Sequence, residues 1–254
     1  MQKFGHRLAT IFVLPVVLFV LWYFSSQHSS NFFFPPLDKI LGAFDRIWLS
    51  PSGATDIYAS LGRLAVGFVS SLIFALAAGV LLGSSKVIRD YTEPVFEFFR
   101  AIPPTVMIPV LLVISGIGDT SKIAVISFGC LWPMLLNTIE GVRSVDQVLK
   151  DTCEVYHIQG IRRLFVLTLP AASPQIVTGM RTGLSIAIIL MVISEMFASR
   201  NGIGFAIIQF QRTFSIPEMW SGILLLGLIG VLLSLLMRLI ERCVLNWYEG
   251  LRAR

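Results

Sequence analysis

The sequence predicts an all-α protein that crosses a membrane several times, and three observations support this fold class. Of the 254 residues, 55% are hydrophobic and only 14% are charged, and the mean hydropathy is +0.79. Soluble proteins average roughly 45–50% apolar and about 25% charged residues, and a soluble domain of this size has too little interior to bury such an excess. Long apolar runs also recur along the chain. Lipid is therefore the solvent for much of this protein.

Six apolar runs approach the length of about 20 residues that a helix needs to cross the hydrocarbon core of a bilayer. The first run has the basic flanks Lys3 and Arg7 of a signal peptide, but Ser25–Ser30 offers no A-x-A cleavage pattern, so we interpret it as a retained anchor. The six predicted transmembrane helices are Leu8–Phe24, Leu61–Gly83, Val95–Ile117, Ile123–Ile139, Ile176–Phe197 and Trp220–Leu239.

Basic residues are divided unevenly between the two sides that six spans create. With the N-terminus inside, the cytoplasmic segments contain most of the Lys and Arg residues, including Lys86, Arg89, Arg162 and Arg163, whereas the outer segments contain few. Cytoplasmic loops of membrane proteins are enriched in Lys and Arg. We therefore expect both chain termini to be cytoplasmic.

Several function classes are disfavoured. The formal charge of +5 and the pI near 9.4 do not indicate a nucleic-acid partner, because the basic residues punctuate apolar runs instead of clustering with aromatic residues. Cys130, Cys153 and Cys243 lie far apart, without the spacing of a zinc site or a disulfide framework. The sequence contains no GxxxxGKS/T, HExxH or GxSxG element. We expect no metal, no cofactor and no catalytic residue in this chain.

The predicted outer segment between the first two spans contains an amphipathic pattern. Apolar side chains recur at helical spacing from Leu37 to Trp48, after the run Phe32–Pro36. We expect a helix that lies along the membrane surface and whose role is packing.

The longest predicted cytoplasmic connection runs from Glu140 to about Pro174, and loops of this length usually carry function or secondary structure of their own. Ser144–Gln147 has the S-x-x-Q form of a capping box, so we expect a short amphipathic helix to begin there. A second helical segment, Ile161–Pro170, is expected to end at its proline. Two short helices set at an angle make a projection that can dock in a groove of a soluble partner.

This loop resembles the cytoplasmic loop of the membrane components of ABC importers. In that family the loop follows the pattern E-A-A-x-x-x-G, then a spacer, then L-P. Counting back from Leu169 and Pro170 puts Asp151–Cys153 at the E-A-A positions and His157 at the glycine position. Glycine there permits a positive φ that histidine tolerates less readily, so we expect the bend to differ or to move to Gly160.

Neighbouring segments narrow the resemblance to the branch that includes nitrate, sulfonate, taurine and thiamine-precursor permeases. The resemblance extends from about Tyr58 to Glu241. It is carried by Arg100–Pro104, Gly116–Ile123, Gly179–Arg181, and Ser194–Met196 through Gly202–Gly204. The domain organisation we predict is 1–57 for the anchor and outer segment, 58–245 for the permease core with a coupling loop at 144–170, and 246–254 for a cytoplasmic tail.

The resemblance implies a type I importer permease fold in a bacterial-type cytoplasmic (inner) membrane. It also implies a separate cytoplasmic ABC ATPase, an extracytoplasmic solute-binding protein and a second permease copy, in a homodimer or a heterodimer. The permease itself hydrolyses no ATP. The residues expected to dock on the ATPase are Asp151, Thr152, Cys153, Glu154, His157, Gly160, Leu169 and Pro170.

A second set of residues is predicted to line or control the translocation path. Glu195 either takes part in this path or forms a structural ion pair with Arg63 or Arg200. Arg181 is expected to extend its side chain towards the cytoplasmic interface. The prolines within the third span either break its helix or only kink it. A kink is the favoured expectation for any single proline. The set comprises Arg100, Pro103, Pro104, Met107, Arg181 and Glu195, with Thr182 and Ser185 as further guesses.

The function we predict from the resemblance is ATP-driven import of a small solute, with a sulfonate, taurine or nitrate-like anion as the leading substrate guess. A thiamine-precursor permease is the alternative within the family. An ion-coupled secondary transporter is the rival class, and Glu195 is its one fair candidate for a coupling acid. A membrane scaffold or sensor without a water-filled path is a third possibility.

Overall fold

The structure confirms the all-α fold class. The computed structural model describes residues 2–27, 31–197 and 199–252, and their side chains except at 2–12, 14, 15 and 249–252. Within these ranges the regular structure is helical throughout. The helices are α1 (Gln2–Gln27), α2 (Leu37–Trp48), α3 (Pro51–Ser84), α4 (Lys86–Ala101), α5 (Met107–Ser115), α6 (Asp119–Arg143), α7 (Gln147–Val155), α8 (Gly160–Arg163), α9 (Leu169–Met196), α10 (Ile203–Arg212) and α11 (Ile216–Arg252).

Four helices in the described part of the chain are long and apolar enough to cross a membrane, and they contain the second, fourth, fifth and sixth predicted spans. They are Pro51–Ser84, Asp119–Arg143, Gly160–Met196 and Ile216–Tyr248. The first predicted span lies within α1, which has 26 residues and therefore a length of about 39 Å. The count of six crossing helices stays a prediction, because most side chains in the first half of α1 lie outside the described residues.

The third predicted span, Val95–Ile117, is wrong as one continuous helix. A 3-10 turn at Pro104–Val106 separates α4 from α5, and the two helices are bent by 73°. Pro103 and Pro104 have no N–H to donate, and Ile102 takes the extended backbone (φ −75°, ψ 118°) that a following proline favours. Two consecutive prolines thus break the helix, where a kink was the favoured expectation for each.

The centre of the fold is α6, which lies between α3 and α9. Glycines let the backbones approach closely: a Cβ added at Gly79 of α3 would lie 2.6 Å from Thr138 Cβ, and one at Gly183 of α9 would lie 2.6 Å from Met134 Cε. Lipid tails provide no hydrophobic drive for helix association, so membrane helices depend on this kind of close contact. The three helices therefore act as one packed layer.

The amphipathic outer segment forms α2 and packs as predicted. Ile40 and Trp48 are buried, and α2 contacts both α3 and α11. Trp48 Nε1 donates to Ser221 Oγ of α11 at 3.0 Å, and Arg46 pairs with Glu218 at 2.6 Å. The indole and its hydrogen bond tie α2 to the beginning of α11.

The start of α7 differs from the prediction. Ser144 ends α6, with its N–H donating to Glu140 O at 2.9 Å. The N-cap of α7 is Asp146, whose Oδ1 accepts from Val148 N at 2.7 Å. The capping box predicted at Ser144 is wrong by two residues, because aspartate caps a helix as well as serine does and begins the helix later.

The second short helix predicted in the loop is also wrong in its end point. Leu164–Thr168 forms a π-helical segment in which Leu169 N donates to Leu164 O, and Gly160–Met196 is one continuous helix. The wider π turn accommodates Pro170, whose ring and missing N–H do not fit the interior of a regular α-helix. The 144–170 loop therefore consists of α7 and an extension of α9 beyond the membrane-spanning part.

Candidate functional site

The 144–170 loop exposes several apolar side chains. Cys153 is the buried residue of α7. By contrast Val148, Val155, Tyr156 and Ile161 are between 70% and 76% exposed. Contiguous exposed apolar groups on a projecting element mark a surface that a partner covers. The loop therefore presents exposed apolar side chains to its surroundings.

His157 adopts the left-handed conformation that the family pattern assigns to glycine. Its φ is +53°, its N–H donates to Glu154 O at 3.0 Å, and Ile158 N donates to Cys153 O at 2.8 Å. These two bonds form a Schellman motif, the usual way a helix ends at a left-handed residue. The bend does not move to Gly160, although that residue also has a positive φ of +57°.

The remaining docking candidates divide between the tip and the base of the loop. Asp151 accepts a hydrogen bond from Gln147 at 2.8 Å, and Thr152 donates to Val148 O at 2.7 Å, so both stabilise α7 itself. Glu154 lies 3.9 Å from Arg163 of α8. Leu169 and Pro170 lie at the base, where α9 begins and Leu169 packs against a buried apolar cluster.

A groove of about 590 Å³ runs between this loop and the ends of α3 and α6. Gly83 and Val142 form its floor, while Lys150, Ile161 and Arg163 come from the loop. Any shift of the loop therefore bears directly on the ends of two spanning helices.

The structure does not bring the predicted path residues together into one site. Arg100 lies in the last turn of α4, 3.7 Å from Glu97. Pro104 packs against Gly129 of α6 at the break before α5, and Met107 begins α5. These residues form one group at the broken span, whereas Arg181 and Glu195 lie elsewhere.

Arg181 is paired with a partner that the sequence did not indicate. Its guanidinium contacts the carboxylate of Glu241 in α11. The Arg181 side chain is 56% exposed and that of Glu241 is 28% exposed. The pair links α9 to α11 near the side of the molecule that carries the 144–170 loop.

Glu195 lies at the opposite side of the molecule, in a network that we call the outer network (Ser60, Arg63, Asp119, Glu195 and Asn201), of which Asp119 and Asn201 are exposed. Glu195 is completely buried, and Arg63 is 4% exposed. Arg63 Nη1 donates to Glu195 Oε1 at 2.7 Å, and Arg63 Nε donates to Asp119 Oδ1 at 2.8 Å. Of the two predicted partners, the ion pair therefore forms with Arg63.

The remaining donors to Glu195 come from α3 and from the start of α10. Ser60 Oγ lies 2.8 Å from both carboxylate oxygens, and Gly204 N donates to Oε2 at 3.0 Å. Gly202 has a φ of +113°, and a Cβ there would lie 2.5 Å from the Glu195 carboxyl carbon. Sequence reasoning missed Ser60, Asp119 and Asn201 as members of this network. The Gly202–Gly204 motif was the available signal, because glycines at this spacing indicate that the backbone lies close to another side chain.

An apolar helix layer, a broken span and an exposed helical loop define a polytopic membrane protein. The chain belongs to the family of binding-protein-dependent transport system inner membrane components, whose family model matches residues 71–246.

Relatives and solved structures agree with this family. The chain is 32% identical to the nitrate import permease protein NrtB of Synechocystis sp. over 91% of its length and 87% of the relative. It is 29% identical to the taurine transport system permease protein TauC of Escherichia coli, over 94% and 89%. It is 29% identical to the putative aliphatic sulfonates transport permease protein SsuC of Bacillus subtilis, over 94% and 88%.

A solved structure of the MetNI methionine ABC transporter in an inward-facing conformation shares the fold. The TM-score is 0.64 at 20% identity, and the match covers 75% of this chain and 95% of the MetNI chain. The type I importer permease fold predicted from the sequence is thereby confirmed.

Proposed function

We propose that this chain is the permease subunit of an ATP-driven importer that moves a small anion, and that it docks a cytoplasmic ATPase through the 144–170 loop. The observation that carries this proposal is the exposed apolar surface of that loop, whose α7 ends in a left-handed His157 at the family's glycine position. Such a surface costs free energy in water and is stabilised when a partner covers it.

The complex we propose contains two permease subunits, two ATPase subunits and an extracytoplasmic solute-binding protein. ATP hydrolysis occurs in the ATPase, and closure of its two copies pulls on the docked loops. The groove of about 590 Å³ at the base of the loop leaves room for this movement against the ends of α3 and α6. Both chain termini and the 144–170 loop lie on the cytoplasmic side.

The substrate we propose is a sulfonate, taurine or nitrate-like anion. Relatives named for nitrate import, taurine transport and aliphatic sulfonate transport each match over nine-tenths or more of this chain. These solutes share a small, weakly basic oxoanion group. A thiamine-precursor substrate is the alternative that a binding assay with the cognate solute-binding protein distinguishes.

Copurification tests the docking assignment. The Val155→Glu variant places a charge in the exposed apolar surface without touching the core, since Val155 is 76% exposed. We expect it to lose the ATPase on affinity purification and to lose solute-stimulated ATP hydrolysis. The matched control is Gln159→Glu, at an exposed polar position of the same loop. ATPase retention by Val155→Glu, or equal loss in the control, would contradict the docking assignment.

The rival classes require different behaviour. An ion-coupled transporter needs a carboxylate that ions or protons can reach, but Glu195 is enclosed by Arg63, Ser60 and Gly204. We expect uptake to continue when an uncoupler removes the ion gradient while ATP is maintained. Collapse of uptake under those conditions would favour the ion-coupled class. Solute-dependent ATP hydrolysis by the reconstituted complex excludes a scaffold without transport.

A further inference from the structure

The outward face of α9 is polar along its first half, unlike the outward face of α3. Gln175, Thr178, Thr182 and Ser185 are all exposed, and their spacing of three or four residues places them in one stripe on the helix. The comparable face of α3 is mostly apolar, with Ser70 as an exposed polar residue. Its exposed side chains include Val66, Val69, Ile73 and Phe74.

The polar stripe reaches deep into the membrane. Ser185 lies ten residues before Glu195, which corresponds to roughly 15 Å along the helix axis. A hydrocarbon core is roughly 30 Å thick, so Ser185 lies near its middle if Glu195 marks the outer end. Polar side chains at such depth face protein or a water-filled cavity, because lipid leaves their hydrogen-bonding groups unsatisfied.

The hydroxyl groups of the stripe are arranged to accept hydrogen bonds from outside the helix. Thr178 donates to Pro174 O at 2.8 Å, Thr182 to Thr178 O at 3.1 Å and Ser185 to Arg181 O at 3.3 Å. Each hydroxyl proton is therefore used within α9, and its oxygen lone pairs remain available. Water molecules, which donate, suit this surface.

Donors for an anion come from α11, across a groove of about 440 Å³. Ser185 lines one wall of the groove, and Ser234 and Arg238 line the other. Among the described residues neither Ser234 nor Arg238 has a hydrogen-bond or ion-pair partner, whereas the nearby Arg181 is neutralised by Glu241. A guanidinium and a hydroxyl with free protons are suited to bind a sulfonate or a similar oxoanion.

We infer that the polar face of α9, together with Ser234 and Arg238 of α11, forms a water-lined wall of the translocation path that contacts the anion in transit. This inference rests on the proposed function, because it names the surface along which the proposed solute moves. It assigns Arg238 as the anion-contacting cation. Arg181, paired with Glu241, positions α9 against α11.

Thiol accessibility tests whether water reaches this wall. Cys130 and Cys153 are buried, so replacing the exposed Cys243 by serine gives a suitable background. In inside-out vesicles containing the full complex, we expect Thr178→Cys, Thr182→Cys and Ser185→Cys to react with a charged methanethiosulfonate at least about tenfold faster than Ile73→Cys, since lipid excludes charge. Rates equal to that of Ile73→Cys would overturn the inference, because lipid or another protein surface would then cover α9.

The charge of the reagent tests the role of Arg238. At Ser185→Cys we expect 2-sulfonatoethyl methanethiosulfonate, itself a sulfonate, to react faster than its trimethylammonium analogue. Adding Arg238→Gln should lower this ratio by about tenfold, since one unit charge is removed beside the reacting thiol. Arg238→Lys should retain it. Arg242→Gln, one turn further along α11 and outside the groove, is the matched control.

An unchanged ratio in Arg238→Gln would overturn the anion contact, as would an equal fall in Arg242→Gln. Both labelling experiments read the permease directly and do not depend on which solute is carried. Loss of ATPase copurification in the Val155→Glu variant tests the proposed function separately. Failure of the labelling pattern with an intact complex therefore removes only the inference about α9 and α11.

Discussion

At the scale of single residues, His157 shows how a side chain occupies a conformation that favours glycine. A left-handed backbone costs a residue with a Cβ roughly 1–2 kcal/mol. The Schellman bonds from His157 N and Ile158 N offset this cost by satisfying the last carbonyls of α7. The turn is therefore determined by how the helix ends, and histidine is tolerated within it.

Replacing His157 by glycine should stabilise the end of α7. The left-handed strain is removed, which corresponds to about 1 kcal/mol and roughly fivefold slower local amide exchange. Hydrogen exchange of the peptides covering 147–158 measures this change. The control is Thr152→Gly inside α7, which should accelerate exchange because glycine weakens a helix interior. Faster exchange in His157→Gly would show that His157 makes a stabilising contact.

Glu195 and Arg63 form a buried ion pair, and removing the carboxylate takes away the buried counter-charge of Arg63. Glu195→Ala should destabilise the protein by about 3 kcal/mol, because Arg63 stays buried with only the exposed Asp119 as counter-charge and Ser60 and Gly204 lose their acceptor. Thermal unfolding of the purified protein in detergent, monitored as the loss of its monodisperse peak, measures this change. Arg200→Ala is the control, since Arg200 was the other partner suggested by the sequence but is exposed. Similar melting of Glu195→Ala and wild type would contradict the structural role of the pair.

At the scale of helices, the contact between α3 and α6 depends on small residues repeated every four positions. Gly67, Ser71, Ala75 and Gly79 are buried along one face of α3. Hydroxyl groups join the same contact, since Ser71 Oγ donates to Ser127 O of α6 at 2.7 Å. This pattern brings backbones close enough for dispersion forces and interhelical hydrogen bonds to hold the helices in lipid.

A large side chain at Gly79 should separate α3 from α6. Gly79→Leu would place atoms within 2.6 Å of the Thr138 side chain, and overpacking of this kind typically costs about 1–3 kcal/mol. A lower melting temperature and a lower yield of folded protein are expected. Gly62→Leu lies on the same helix with nothing within 4 Å of the added Cβ, and it should melt with the wild type. Equal lowering of the melting temperature by the two substitutions would contradict a specific packing role of Gly79, because leucine favours the helix more than glycine does at both positions.

The broken span between α4 and α5 follows from a different local cause. Two consecutive prolines remove two donors, and the 3-10 turn restores a bond from Val106 N to Pro103 O at 3.0 Å. The turn lies against α6 and α9. A non-helical segment at membrane depth is tolerated where protein or water surrounds it, so the break belongs beside the protein interior.

At the scale of the whole molecule, polar groups are concentrated at the two ends of the helix layer. The outer network ties α3, α6, α9 and the start of α10 together at one end. The 144–170 loop and the Arg181–Glu241 pair lie at the other end. One end is thus rigidly cross-linked and the other is open to a partner. We expect movement driven at the loop to act on helices that are joined firmly at the opposite side.

The orientation of the protein in the membrane gives a whole-molecule prediction. In the Cys243→Ser background, Gln211→Cys should react with an impermeant thiol reagent added to intact cells, because the connection after α10 is expected outside. Gln159→Cys in the loop should react only after the membrane is opened. Both positions are exposed, so access to water in the folded protein is matched. The reverse pattern would contradict cytoplasmic termini.

The sequence by itself determined the membrane class, four spanning helices, α2 and the presence of a helical loop at 144–170. These features depend on composition, on the periodicity of hydrophobic residues and on local motifs, all of which are properties of short stretches of chain. Local reasoning also located the glycine position of the family pattern at His157. It misplaced the cap of α7 and the end of α8, because two neighbouring residues competed for the cap and a π turn accommodated Pro170.

Only the tertiary structure decided which distant groups meet. The choice of Arg63 over Arg200 as the partner of Glu195 depends on how α3 packs beside α9, and no local pattern encodes that neighbour. The same holds for Arg181 and Glu241, which are 60 residues apart in the chain. The polar stripe of α9 was partly guessed through Thr182 and Ser185, but whether a helix face is buried or exposed depends on the helices around it. Long-range packing, which no short stretch of sequence specifies, places these residues in contact.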